Sequence, residues 1–393
     1  MKFDHQEIDI NVLKQRAYNF RWAEVDDGII PLTAADPDFK CAPAIRQALT
    51  DYIDGGYFSY TPKEGFPQFK EAMHKYLKEM KNEEVPVEGI LPIDSAARGM
   101  WVIAEAVLQP GDEAIVFDPC DFLFRKSVEH AKGKVVLFPA DVVDGKIDLS
   151  HIEDYITPKT KMICLCNPHN PLGKLYPKED LIYLLDLCEK HDLYIMNDEI
   201  WSDITYPEKP FLSIMSVKPE LNHRILSVFG FSKSFGIAGL RVGCVYSTNA
   251  ELFEKCVVAS CVRETAGGIS SLSQVAGIAC LNDSRQWLAE FKAHLCEMRD
   301  YLCERVNAME GLSVTAPEGT YLAYVDISSL NMSGAEFTAF LQENVKLALV
   351  PGGETFFGVR SEGHVRICFA TSKQILKEGL DRLEEGLKLL KNK

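Results

Sequence analysis

Gly230-Phe-Ser-Lys-Ser-Phe-Gly-Ile-Ala-Gly-Leu-Arg-Val-Gly-Cys244 is the stretch on which the fold turns. The apolar run before it, Ile225–Phe229, reads as a strand, and it stops where this small-residue turn begins. A second strand-like run, Arg241–Tyr246, follows. Lys233 therefore stands just past the carboxyl end of a strand, where ligands bind in open α/β sheets. An amine so placed can be desolvated and give up its proton more readily, as a Schiff-base lysine must. A solvated loop lysine or a phosphate contact is equally compatible with this stretch alone.

Three other segments share the pattern of an apolar strand ending in polar groups. In Cys166-Asn-Pro-His-Asn-Pro-Leu-Gly173 two Asn-Pro steps force extended backbone and turns, and Asn170 can aim its amide at a ligand oxygen. In Tyr194-Ile-Met-Asn-Asp-Glu-Ile-Trp201 a strand ends in Asp198 and Glu199, as helix caps or as site residues. In Gly363-His-Val-Arg-Ile-Cys-Phe-Ala370 an arginine, Arg366, sits inside an apolar strand. A buried arginine needs a partner. An internal salt bridge is one resolution, and a planar fork for a substrate carboxylate is another.

Further strands are expected at Ala114–Phe117, Lys134–Phe138 and Met162–Cys166, with helical patterns between most of them, such as Lys178–His191. This alternation predicts an α/β large domain, a mostly parallel sheet flanked by helices, over residues 46–281. Beyond Asn282 the character changes: a long helix over Ser284–Met309, a strand Tyr321–Ile327, a helix Gly334–Asn344, a strand His364–Ala370 and a last helix from Lys373. These predict a smaller α+β domain, residues 282–393 completed by 1–45, the latter read as irregular.

The formal net charge of −15 argues against nucleic acid or an anionic membrane as partner. No apolar run reaches the ~18 residues of a membrane span, and the charged start, MKFDHQEIDI, does not read as a secretory signal. The 12 cysteines are scattered without a CxxC pair, so a reducing cytoplasm is expected. Cys164 and Cys166 form a CxC on one strand face, too few ligands for a metal site. There is no GxGxxG after a strand and no GxxxxGK[ST], which disfavours a dinucleotide or P-loop enzyme.

The order and spacing of NPHNPLG, NDEIW, SKSFGIAGLRVG and HVRICFA resemble the fold-type I pyridoxal 5′-phosphate (PLP) enzymes, specifically the class I/II aminotransferase family. The resemblance runs from about Pro31 to Leu390, although each motif alone is weak. It implies that Lys233 binds PLP as a Schiff base and that Asp198 pairs with the pyridine nitrogen. A buried carboxylate there keeps that nitrogen protonated, so the ring can accept electrons. It further implies that Asn170 hydrogen-bonds the ring's phenolic oxygen and that Ser232 and Arg241 contact the phosphate. Ser95, Ala96 and Ala97, ahead of the helical pattern Met100–Leu108, match the backbone segment that holds the phosphate. Tyr60, in Phe58-Ser-Tyr-Thr-Pro-Lys-Glu-Gly65, matches a tyrosine that reaches the neighbouring subunit's phosphate, which implies a homodimer with shared sites. Arg366 matches the arginine that holds the substrate carboxylate, and a substrate contact is implied at Ala35.

Three positions depart from the family pattern. Asp121 stands where a stacking tyrosine is common, leaving Phe122 to supply the stacking face. Trp201 replaces a tyrosine or histidine; its indole N–H can donate to the phenolic oxygen but cannot accept a proton. Gly230 replaces a phosphate-binding serine. For the reaction, the resemblance implies transamination between an L-amino acid and a 2-oxo acid. Ala35-Asp-Pro-Asp-Phe39 and Pro317-Glu-Gly-Thr-Tyr-Leu-Ala-Tyr-Val-Asp326 look instead like the cystathionine β-lyase branch, whose C–S cleavage releases pyruvate and ammonia. A non-catalytic PLP-binding regulator is a remote alternative, because the chain is acidic and starts almost directly with the fold. Arg98 and Arg263 could meet an acidic substrate, but both read better as surface or structural arginines.

Overall fold

The computed structural model describes residues 3–264 and 267–391. Its main sheet has seven strands: β1 (Ile90–Ile93), β2 (Glu113–Asp118), β3 (Lys134–Pro139), β4 (Thr160–Cys166), β5 (Tyr194–Asp198), β6 (Ile225–Gly230) and β7 (Gly243–Tyr246). Their order is β1-β7-β6-β5-β4-β2-β3, and only β7 runs against its neighbours. All residues of β2 and β6 are buried, as expected of parallel strands covered by helices on both faces. The two edges are marked in the sequence. Pro92 lacks an N–H to pair and lies in edge strand β1, while β3 opens on the exposed Lys134.

The helices form where local chemistry directs. Helix α1 (Pro67–Lys81) starts on a proline and stops where Asn82 turns left-handed, at φ 56°. Helix α2 (Ala96–Val107) is capped by the Ser95 hydroxyl, which accepts from the Arg98 N–H. Helix α3 (Lys178–His191) carries Glu179 and Asp180 in its first turn and Lys190 and His191 in its last, complementing its dipole.

A second sheet is antiparallel, with order β8-β9-β11-β10 for β8 (Ser313–Val314), β9 (Leu322–Asp326), β10 (Val350–Pro351) and β11 (His364–Cys368). The long helix α4 (Arg285–Asn307) leads into it. Helix α5 (Gly334–Val345) opens on a capping box between Ser333 and Glu336, and α6 (Lys373–Lys391) follows the sheet.

Two expectations need correction. Arg241 is not in a strand: it takes a left-handed conformation (φ 51°) and β7 begins only at Gly243. The first 45 residues are not wholly irregular. Asp9 caps a short helix over Ile10–Arg16, and Ile30–Pro31 pairs in parallel with Leu347–Ala348. The segment is anchored by a buried ion pair, Arg21 Nη2 to Asp38 Oδ1 at 2.5 Å, with the Trp22 indole N–H donating to the same oxygen at 2.7 Å.

Candidate active site

The carboxyl ends of β1, β2, β4, β5 and β6 lie along one edge of the main sheet, and a cavity of about 400 Å³ opens there. Because parallel strands share a direction, residues far apart in sequence meet along that edge. Of the residues that the family resemblance assigned to cofactor or substrate, all but Tyr60 line the cavity: Ala35, Ser95, Ala96, Ala97, Phe122, Asn170, Asp198, Trp201, Ser232, Lys233, Arg241 and Arg366. Tyr60 is 97% exposed and stands apart.

Lys233 lies in a single helical turn, Ser232–Phe235, that Gly236 ends in a left-handed conformation. Its Nζ donates to the Ala35 carbonyl at 2.9 Å and sits 5.6 Å from the centre of the Trp201 ring. Desolvation holds the ammonium below the usual lysine range. The Tyr321 hydroxyl also donates to Ala35, at 3.2 Å, and the Tyr321 ring meets Trp201 edge-on at 4.7 Å. Ala35 therefore acts here through its carbonyl, on the lysine.

Asp198 ends β5 and is buried, with one oxygen accepting from the Ile200 N–H at 3.0 Å. No cation pairs with it among the described residues. Burial pushes its carboxyl up to about 7. The neighbouring Glu199 is differently engaged: it turns away to a buried network, accepting from Lys81 at 2.5 Å, Asn197 at 2.9 Å and Ser213 at 2.9 Å.

Also lining the cavity, Ala96 and Ala97 open α2, so their N–H groups have no intrahelical acceptor. The Arg241 guanidinium donates to Ser95 Oγ at 3.0 Å beside them. Gly243 makes this approach feasible: a Cβ there would stand 2.7 Å from the Phe229 carbonyl oxygen and 3.1 Å from the Ala96 nitrogen. Gly230, in place of a serine, leaves the cup to backbone N–H groups and Arg241; a Cβ on it would lie 3.3 Å from that of Ala96.

Arg366 lies in β11, opposite Tyr324 on one side and Val350 on the other. It is 8% exposed, and among the described residues it forms no salt bridge. One Nη donates to Asn170 Oδ1 at 3.2 Å, Nε has no partner, and the guanidinium lies 4.9 Å from the centre of the Phe357 ring. Asn170 in turn donates to Asp121 at 3.0 Å, and Asp121 caps its helix by accepting from the Leu123 N–H at 3.1 Å. The internal salt bridge that sequence left open is thus absent here. The departure at Asp121 has a role as well: it orients the amide that orients the arginine.

Sequence reasoning missed Phe20, Phe356 and Phe357, which also line the cavity. The loop carrying the latter two is strapped across the end of β2, with Cys120 N–H donating to the Phe357 carbonyl at 2.8 Å and Phe122 N–H to that of Phe356 at 3.1 Å. The signal was present as a glycine cluster, Gly352, Gly353 and Gly358, around two phenylalanines. Arg98 and Arg263 lie outside the cavity. Arg98 donates to the Ala259 carbonyl at 3.4 Å, and Arg263 pairs with Glu64 at 2.7 Å and Glu254 at 2.5 Å.

Residues 27–383 match the family model for aminotransferase class I and II. The chain belongs to this family. Among its curated relatives, the aspartate aminotransferase of Pyrococcus horikoshii is 30% identical over 94% of this chain and 93% of its own. A Bacillus subtilis relative named as a probable N-acetyl-LL-diaminopimelate aminotransferase is 29% identical over 96% and 93%. Among solved structures, a PLP-bound protein of Clostridium difficile 630 superposes with a TM-score of 0.90 at 26% identity, covering 98% of this chain and all of its own. A Thermus thermophilus aspartate aminotransferase variant superposes at 0.84 with 27% identity, over 96% and 94%. Cystalysin of Treponema denticola, at 22% identity and a TM-score of 0.89, shares the fold. These relatives favour the aminotransferase reading over the β-lyase one.

The residues present fit PLP. The cavity offers helix-opening N–H groups and a guanidinium for a phosphate, a buried carboxylate without a cation among the described residues for a protonated ring nitrogen, and a desolvated amine. Among the described residues, no helix is long and apolar enough to cross a membrane.

Proposed function

We propose that this chain is a PLP-dependent aminotransferase that moves the amino group of an L-amino acid to a 2-oxo acid. The observation that carries the reading is Arg366: a buried guanidinium without an ion pair among the described residues, lining the cavity that also holds Lys233 and Asp198. A buried, unpaired cation is costly. A carboxylate arriving from solution relieves that cost, and the planar fork receives it through two charge-assisted hydrogen bonds.

The other residues divide the work. Bound in this cavity, PLP supplies an electron sink for the substrate's α-carbon. Lys233 holds the cofactor and moves the proton at that carbon; its depressed basicity suits a base working near neutral pH. Asp198 holds the charge opposite the ring nitrogen. Ala96, Ala97, Ser95, Ser232 and Arg241 would hold the phosphate, and Asn170, which orients Arg366, would offer its amide to the ring. Phe122 would offer the ring an aromatic face, and Trp201 with Tyr321 shields the lysine from water. Tyr60 reaches the phosphate of a second copy, which makes the working unit a homodimer; its exposure supports this assignment.

The division into a large domain, residues 46–281, and a small one, 1–45 with 282–393, belongs to the same proposal. It is supported by the pairing of Ile30–Pro31 with Leu347–Ala348. So does a reducing cytoplasm, which the free state of the cysteines favours. The reaction is tested by mixing purified protein and PLP with a panel of L-amino acids. New 2-oxo acid that forms only when an acceptor 2-oxo acid is supplied supports the proposal. Pyruvate and ammonia released from cystathionine without an acceptor would overturn it.

A further inference from the structure

A second cavity, of about 480 Å³, lies behind the Lys233 turn, within the range of about 300–1,000 Å³ usual for small-molecule sites. Its walls are mainly apolar and aromatic, including Tyr206, Phe235 and Leu288. Three charged groups line it. Asp203 is fully engaged, accepting from the Tyr76 hydroxyl at 2.6 Å and from the Ser234 hydroxyl at 2.8 Å. Lys292, on α4, is half-buried and has no ion pair or hydrogen bond among the described residues. Burial lowers its basicity, and Asp203 opposes that lowering from a distance. Arg285, at the rim, is already paired with Glu79 at 3.1 Å.

We propose that this cavity binds a monocarboxylate with an apolar body, its carboxylate on Lys292, and that its occupancy is coupled to the active site. The charge argument is direct. A partly desolvated ammonium beside an apolar cavity gains most from an anion, and the only carboxylate lining the cavity among the described residues is spent on two hydroxyl donors. The coupling argument is geometric. Phe235 belongs to the same turn as Lys233 but lines the second cavity, and Ser234 of that turn donates to Asp203 in its wall. Asp203 belongs to the segment that carries Asp198 and Trp201 on the other side. A ligand in the second cavity therefore touches the backs of both walls of the first. Coupling between sites is reciprocal, so a bound cofactor must alter affinity at the second cavity by the factor with which the second ligand alters affinity for the cofactor.

The test is calorimetric titration of the PLP-loaded and PLP-free protein with 4-phenylbutyrate, with decanoate as the alkyl arm and 4-phenylbutanol as the uncharged control. Binding of either carboxylate is expected, at least about tenfold tighter than the alcohol. Its affinity is expected to differ about fivefold between loaded and free protein, at the low end of usual coupling. The stronger arm identifies the aryl or alkyl class. Lys292→Met is expected to abolish the preference for carboxylate over alcohol without changing basal activity, and Ala289→Trp, at the rim, to block all three probes. Arg366→Lys is expected to leave the binding unchanged, which separates this cavity from the first. Equal affinity for alcohol and carboxylate, retained preference in Lys292→Met, or loss of binding in Arg366→Lys would each overturn the site. Equal affinity in loaded and free protein would overturn the coupling. None of the binding readouts requires turnover, so failure of the aminotransferase assignment would show separately.

Discussion

Asp198→Asn is expected to stabilise the PLP-free protein and to do so more strongly as pH rises. The carboxyl is buried, accepts one hydrogen bond from Ile200 N–H, and is pushed up to about 7 from its ordinary 3.8, chiefly by desolvation. A folded carboxyl that holds its proton more tightly than the unfolded chain makes stability fall as pH climbs from about 4 to about 7, and the loss is complete above that. At ~1.4 kcal/mol per pH unit, the full penalty is about 4 kcal/mol, of which roughly 2 kcal/mol is already present at pH 5.5. Asparagine keeps an acceptor for the Ile200 N–H and does not titrate. Urea unfolding of both PLP-free proteins should therefore show the variant more stable, with its advantage growing by about 2 kcal/mol between pH 5.5 and pH 8.5. With PLP the order reverses: the cofactor should add less stability to the variant, because its ring nitrogen loses the charge that faces it. A variant no more stable than the parent at pH 8.5, or an advantage that does not change with pH, would refute the reasoning.

Arg366→Lys keeps the charge but loses the fork, so kcat/KM for amino acids should fall by roughly 30- to 100-fold, equivalent to about 2–3 kcal/mol, with the melting temperature little changed. Normal kinetics with a lowered melting temperature would make the arginine structural. His169 is fully buried, both ring nitrogens lack partners among the described residues, and burial pulls it down to about 3. The unfolded chain then binds the proton more readily below about pH 6.5, so stability is lost as pH falls. His169→Leu should gain about 2 kcal/mol relative to the parent between pH 7 and pH 5, by urea unfolding, and a pH-independent difference would reject this. Tyr60→Ala should weaken PLP binding by about tenfold, the scale of one hydrogen bond to a charged group, without dissociating the dimer. A parent protein that sediments as a fully active monomer at low concentration would remove the basis for a shared site.

Much of the active-site edge was legible from sequence because its signals are local. Lys233, Asp198 and Asn170 each follow a short apolar run, and a strand followed by polar turn residues points its end at the same edge wherever the sheet is parallel. Ser95 is a cap that announces the helix behind it. The state of Arg366 was not legible. Whether a buried guanidinium is paired or free depends on what the fold places beside it, and its partner Asn170 is 196 positions away. The same holds for Asp121, whose departure from the family pattern makes sense only once its bond to Asn170 is seen. Arg241 was misplaced in a strand because an apolar pattern does not reveal a left-handed residue before Gly243. Composition showed that Lys292 and Asp203 exist. Only the packing of α4 behind the Lys233 turn left one of them unpaired beside an apolar cavity, since desolvation is a property of the assembled neighbourhood and not of the residue.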